Sequence, residues 1–429
     1  MVFSSWAFVL FLPVMLALNA HWPKRWKHHL LLGDSYFCYG WWDWRFLSLI
    51  LLSTTIDYFA AIRLHACHDR GDAAGARRWI NTSVIANLSV LGFFKYAGFF
   101  AEIIAPLARL FDLDPTGFSA TIVLPLGISF YTLQSMSYTI DVYRKDIAPE
   151  RNFITFALYV TYFPQLIAGP IERPQNLLPQ LYNPARVDVT LAREGLALLI
   201  LGFFKKMVLS TIVQREADII FAEHAARQAQ YALGYDPMPI PGPILLCALY
   251  LFTSQIYFDF SGYTDMARGT AKLFGVNLIK NFEQPYLSTN VTDLWKRWHI
   301  SLSSWFRDYL YRPIKGSRKG ERAVIQTQLA TMTIAGFWHG ATWAFIVWGF
   351  YHGAFLAIER LWNRHVKRKL VSKDTSPALL AFAGWFYVIH VVAFSLAFFR
   401  NVHLDLALSH IAGVFTWPGV PLHRLDTLG

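Results

Sequence analysis

Two histidines stand where an imidazole could move a proton inside an apolar chain. His339 lies in GFWHGATW (Gly336–Trp343), within a run from Ala323 to Trp362 of about forty mostly apolar residues. At roughly 20 residues per crossing, that run is long enough for two membrane helices. Near neutral pH only His339, His352, Glu359 and Arg360 in it can carry charge. A titratable group within a span is expensive, so it points to function by default. Imidazole also titrates near neutrality, as a general base must. The plainer alternative is a buried histidine bonded to a neighbouring carbonyl. Gly336 with Gly340, and Gly349 with Gly353, form small-xxx-small pairs that let membrane helices approach closely. Trp338, Trp343 and Trp348 supply bulk beside them.

The second histidine, His299, lies in WKRWHISLSSWFRDYLY (Trp295–Tyr311). From Val291 to Tyr311 apolar residues recur at three and four, which predicts one amphipathic helix. Thr292, Lys296, His299, Ser303 and Arg307 form its polar stripe. Two readings stay open on spacing alone: an interfacial helix with a basic face toward lipid headgroups, or a stripe lining a wet cavity. Upstream, YFDFSGYTDMA (Tyr257–Ala267) brings Asp259 and Asp265 to the end of an apolar run. They either pair with nearby cations such as Arg268 or take part in chemistry.

The elements that carry these residues belong to a membrane protein. The chain has 429 residues, 55% hydrophobic and 17% aromatic, with 16 Trp. Charged residues are 16%, below the roughly 25% of soluble domains. A net charge of +11 would suggest nucleic acid in a soluble chain. Here Lys and Arg cluster in short stretches between apolar runs, the positive-inside pattern, so no nucleic-acid partner is expected. Cys38, Cys67 and Cys247 are too far apart for a disulfide framework or a thiolate metal site, and no metal is expected.

In chain order, Phe3–Ala20 reads as a retained membrane helix. It has no basic n-region, and Leu18 spoils a cleavage site after Ala20. The basic stretches His21–His29, Arg63–Arg78, Arg312–Arg322 and Arg364–Lys373 read as cytoplasmic loops, which places the N-terminus outside. Leu30–Trp42, Arg45–Ile62 and Trp79–Ile104 are apolar, and Lys95 within the last would snorkel or pair with a carboxylate. Phe111–Gly117 is an acidic turn. Thr121–Asp141 is interrupted by Pro125 and Gly127, which predicts a broken helix satisfied by protein rather than lipid. Leu191–Val213 is a span carrying Lys205 and Lys206, and Arg215–Pro243 is expected to be the largest loop. Ala378–Arg400 is the last clear span, with the remainder extracytoplasmic.

These blocks resemble the membrane-bound O-acyltransferases, within them the bacterial branch acting in alginate O-acetylation. The likeness runs through MVFSS (Met1–Ser5), LPLGISFYTLQSMSYTIDVYR (Leu124–Arg144), FPQLIAGPIER (Phe163–Arg173), FDFSGYTDMA, WKRWHISLSSWFRDYLY and GFWHGATWAFIVWGFYHG. It covers nearly the whole chain. The resemblance implies an all-α polytopic fold, a ring of about ten transmembrane and partial helices around a central tunnel. It implies a single acyltransferase domain over residues 1–429, with a catalytic core at about 244–362. It also implies a catalytic His339 and a second functional His299. Many relatives carry further spans beyond the point where this chain stops.

The implied activity moves acetyl groups from a cytoplasmic donor across the bacterial inner membrane for O-acetylation of an extracytoplasmic polysaccharide. No bound cofactor is expected, acetyl-CoA being the co-substrate. The implied partners are membrane lipid, a periplasmic acetyltransferase and an exopolysaccharide acceptor. Two rivals use the same residues: a transporter or flippase with an intramembrane His/Asp proton relay, and an O-acyltransferase acting on lipid or protein.

Overall fold

The computed structural model describes residues 1, 3–111, 117, 121–366 and 375–416, and among them every regular element is helical. Five helical stretches there are long and apolar enough to cross a membrane: Lys24–Asp69, Ala73–Phe111, Val189–Ala232, Gly242–Leu273 and Pro377–Arg400. The chain divides into two compact units, Met1–Phe204 with Gly262–Lys280, and Lys205–Ser261 with Asn281 onward.

The first unit opens with α1 (Trp6–His21), begun where the Ser5 hydroxyl accepts from the Phe8 N–H. There follow α2 (Lys27–Asp43), α3 (Leu47–Asp69) and α4 (Ala73–Ala108). The expected basic loop Arg63–Arg78 is largely helix. Only residues 70–72 turn, and Asp72 caps α4 by accepting from the Gly75 N–H at 2.8 Å. Basic side chains at helix ends leave the bilayer without needing a loop. Ile85, Leu88, Phe93, Phe100 and Ile104 leave an exposed apolar face on α4, suited to lipid. Residues 121–127 carry no helix, so the helix expected over Thr121–Asp141 starts only past Pro125 and Gly127. Gly127 takes the left-handed conformation (φ +73°), and α5 (Ile128–Tyr143) starts after it, buried along most of its length.

Buried polar side chains tie α3, α4 and α5 together. Asp57 accepts from Ser83 Oγ at 2.5 Å, from Asn87 Nδ2 at 2.9 Å and from Ser135 Oγ. Lys95 donates to the Ser129 hydroxyl at 3.1 Å. Further on lie α6 (Phe153–Thr161), α7 (Pro174–Tyr182) and α8 (Val189–Phe203). The turn before α7 holds Glu172, fully buried, which accepts from Asn176 Nδ2 and from the Ile279 N–H, each at 2.6 Å. Burial pushes its carboxyl up to about 7, against the pull of those donors and of Arg173 and Arg268.

In the second unit a π-helical turn (Phe204–Ser210), carrying Lys205 and Lys206, leads into α9 (Thr211–Ala232). The large loop expected over Arg215–Pro243 is therefore mostly helix. Its Ala, Glu, Gln and Arg residues are strong helix formers, so propensity overrides polarity. The helix stops before Gly234, which is left-handed (φ +83°). Then come α10 (Gly242–Leu273), whose residues after Ser261 belong to the first unit, α11 (Val291–Arg297), α12 (Ile300–Phe306), α13 (Glu321–His339) and α14 (Trp343–Leu361). The unit closes with α15 (Pro377–Arg400) and α16 (Leu404–Val414).

The paired glycines do bring α13 and α14 together. A Cβ on Gly336 would fall 2.2 Å from the Phe345 carbonyl oxygen, and one on Gly349 2.2 Å from that of Met332. Gly340 instead ends α13 in extended backbone, where a Cβ would strike the Phe345 ring. The single helix expected from Val291 to Tyr311 is broken at Trp298 and His299, because His299 itself is left-handed. The Phe111–Gly117 turn, most of Arg364–Lys373 and residues 417–429 lie outside the described residues.

Candidate active site

His339 is the last residue of α13. The carbonyl-rich end of a helix stabilises positive charge, the state an imidazole reaches once it takes a proton. Its ring is half-buried among three aromatic rings: Trp338 and Trp348 at 5.0 Å between centroids and Phe399 at 5.5 Å. Trp348 also packs edge-on to His352 at 4.9 Å, and Trp295 meets His352 at 5.1 Å. Trp348 thus lies between two imidazoles. His352 is buried, and its Nδ1 has no hydrogen-bond partner among the described residues.

His299 is built differently. At φ +42° and ψ +55° it occupies a region that costs a non-glycine residue about 1–3 kcal/mol unless its surroundings enforce it. They do so from both sides. After it, the Ile300 N–H donates to the Asn281 carbonyl at 3.0 Å and the Ser301 N–H to Asn281 Oδ1 at 3.1 Å. Before it, α11 is capped by Asn290, which accepts from the Asp293 N–H at 2.7 Å. The imidazole is 2% exposed and stands edge-on to Phe260 at 4.7 Å. The helix before His299 has seven residues and the helical run after it continues only from Ile300 to Lys315, each short of the roughly 20 residues a crossing needs, so His299 sits between short segments rather than within a span. Burial pushes its imidazole down to about 3, which keeps it neutral.

The break at His299 dissolves the polar stripe. Lys296 and Arg307 are exposed while His299 is buried, so the three no longer share one helix face. Asp259 takes an ion pair from Lys206 in the second unit, and Asp265 pairs with Arg268 at 3.8 Å in the first. Both carboxylates follow the pairing alternative.

A cavity of about 900 Å³ opens in the second unit. Thr289, Asn290 and Thr292 at the start of α11, Glu359 and Trp362 at the end of α14, and Tyr387 on α15 line it. Among the described residues no group of three His, Cys, Asp or Glu side chains is placed to hold a metal ion, and the three cysteines are free thiols. Sequence reasoning flagged His352 and Glu359 only as titratable groups in the run. Trp295, Phe399 and Asn281 carried no separate signal, since their contacts join residues distant in the chain.

Long apolar helices, and histidines seated among aromatic rings, define a multi-pass membrane protein with buried groups capable of acid–base chemistry. Residues 145–399 match the membrane-bound O-acyltransferase family. The probable alginate O-acetylase of Azotobacter vinelandii is 39% identical over 99% of this chain and 80% of its own length. That of Pseudomonas putida is 38% identical over 99% and 82%. The peptidoglycan O-acetyltransferase of Helicobacter pylori is 33% identical over 96% and 77%. The chain belongs to the membrane-bound O-acyltransferase family and is a multi-pass inner-membrane acyltransferase.

Proposed function

We propose that this chain transfers acetyl groups from acetyl-CoA toward an extracytoplasmic polysaccharide of the alginate type, with His339 as general base. The observation that carries this reading is the seat of His339, an imidazole at a helix C-terminus walled by Trp338, Trp348 and Phe399 in a chain of this family. His339 takes the proton of an acceptor hydroxyl as its oxygen attacks the thioester carbonyl. Collapse of the tetrahedral intermediate expels the thiolate, which receives the proton and leaves as the free thiol. His299, held neutral, orients the donor or relays the proton.

The donor approaches from the basic side. Arg312, Lys315, Arg318, Lys319 and Arg322 concentrate positive charge there, which would attract its phosphates. The cavity bounded by Thr289, Glu359 and Trp362 supports access near the segment that leads to His299. The acetyl group passes outward through a central tunnel, to the polysaccharide or to a periplasmic acetyltransferase partner. The names of the similar proteins support both polymer acetylation and variety of acceptor, since one is named for alginate and another for peptidoglycan.

The test uses purified protein in vesicles given acetyl-labelled acetyl-CoA and alginate oligosaccharide, with and without periplasmic extract. Label on the oligosaccharide or on an extract protein, dependent on the chain, is the expected result. Label that stays on the donor while protons move across the vesicle would favour the transporter reading instead.

A further inference from the structure

The two candidate histidines lie on segments far apart in sequence, and something must fix one against the other. Glu359 is placed to do this. It sits near the C-terminal end of α14, one side of the hairpin that carries His339, and is 7% exposed. Its carboxylate reaches the first turn of α11, the helix that leads into His299. Oε1 accepts from the Val291 N–H at 2.9 Å. Oε2 accepts from the Thr292 N–H at 3.0 Å and from Thr292 Oγ1 at 2.7 Å. These include N–H groups that a helix cannot satisfy internally, so the two carboxyl oxygens are well matched to them.

The consequence falls on the His299 segment. With the start of α11 pinned to α14, Trp295 is seated against Trp348 and His352. The same helix ends two residues before His299, whose far side is held by Asn281. We infer that Glu359 is a positioning residue for acetyl transfer: it clamps the His299 segment onto the helix hairpin that presents His339. This inference rests on the acyl-transfer reading above.

The chemistry of the clamp dictates the variant. Gln at 359 keeps the size but offers one acceptor oxygen, and its amide group faces an N–H donor where an oxygen stood. Misplacement of a reacting group by about 1 Å can lower a rate about 100-fold. Glu359→Gln should therefore lower kcat at least about tenfold at matched membrane level, with the acetyl-CoA KM within about threefold of wild type. Thr292→Val removes only the Oγ1 bond and should give a smaller loss of the same kind.

The decisive readout is non-additivity. If Glu359 acts through the His299 segment, Glu359→Gln combined with His299→Ala should be no slower than His299→Ala alone, within about threefold. His339→Gln measured alongside gives the assay floor. A Glu359→Gln enzyme as fast as wild type would overturn the inference, and so would losses that multiply in the double variant. If Glu359→Gln fails to accumulate, Thr292→Val decides: wild-type kcat overturns the clamp, and a loss absorbed by His299→Ala supports it. Absence of acetyl transfer by wild type would strike the acyl-transfer reading instead, so the two failures are distinct.

Discussion

The Asp57 cluster in the first unit is buried and His339 in the second is half-buried, and the two are surrounded by opposite kinds of side chain. Asp57 is surrounded by short polar side chains, and Ser83, Asn87 and Ser135 all donate to it. Such a network offsets part of the cost of burying the carboxyl and leaves it little capacity for a substrate. His339 and His352 are packed against rings: Trp338, Trp348, Trp295 and Phe399 give shape and a low dielectric. The difference separates a carboxylate bonded to short polar side chains from imidazoles packed against rings, although both types are rare in apolar spans.

Substitutions in the two regions should therefore fail differently. The largest effect expected among structural changes in the second unit is at Gly349. Gly to Ala inside a helix normally adds about 1 kcal/mol of stability. Here the new Cβ would meet the Met332 carbonyl at 2.2 Å, so the hairpin must open and carry His339 with it. Gly349→Ala should lower acetyl transfer about 100-fold, with a fall in the melting temperature of detergent-solubilised protein. Wild-type activity would mean that the hairpin does not set the position of His339.

Next comes His299→Ala, expected to slow transfer roughly tenfold to a hundredfold while expression stays normal. Because burial holds His299 neutral, with its imidazole near 3, it should contribute no inflection to the wild-type rate profile between pH 5 and 8. Unchanged turnover in His299→Ala would return α11 and α12 to a purely interfacial role.

In the first unit, Asn87→Ala removes a donor to both Asp57 oxygens. It should cost about 1–3 kcal/mol of stability and leave kcat per folded molecule within about twofold. A selective loss of kcat would show that this network takes part in the reaction.

An effect confined to stability is expected at Glu172. Its carboxyl is raised from 4.5 to about 7, so the folded state holds the proton more tightly than the unfolded chain. Stability from this group is present below pH 4.5 and is lost as pH rises to about 7. Glu172→Gln should flatten that part of the stability profile, and a parallel profile in wild type and variant would refute the assignment.

Much of this arrangement was legible in the chain. Hydropathy anticipated the long apolar helices around Trp79–Ile104, Leu191–Val213 and Ala378–Arg400, Pro125 and Gly127 marked where a helix starts, and the Gly336 and Gly349 spacing anticipated a close hairpin. His339 stands out as a candidate because an apolar run makes an isolated imidazole conspicuous. The break at His299 was not legible. A left-handed histidine has no local sequence mark, and its conformation is imposed by Asn281 and α11. The polarity of α9 points to a loop and hides its good helix propensity. The contact of Glu359 with Val291 joins residues 68 positions apart, beyond the reach of any periodicity.

The most direct test of the central claim is His339→Gln. A neutral imidazole can accept a proton from an alcohol, and an amide of similar size cannot. General-base catalysis is worth about 10²–10⁴ in rate. Polymer-bound acetate should fall by that order in cells carrying the variant at wild-type membrane levels. Near-normal acetylation would contradict a catalytic role for His339 and remove the base from the mechanism.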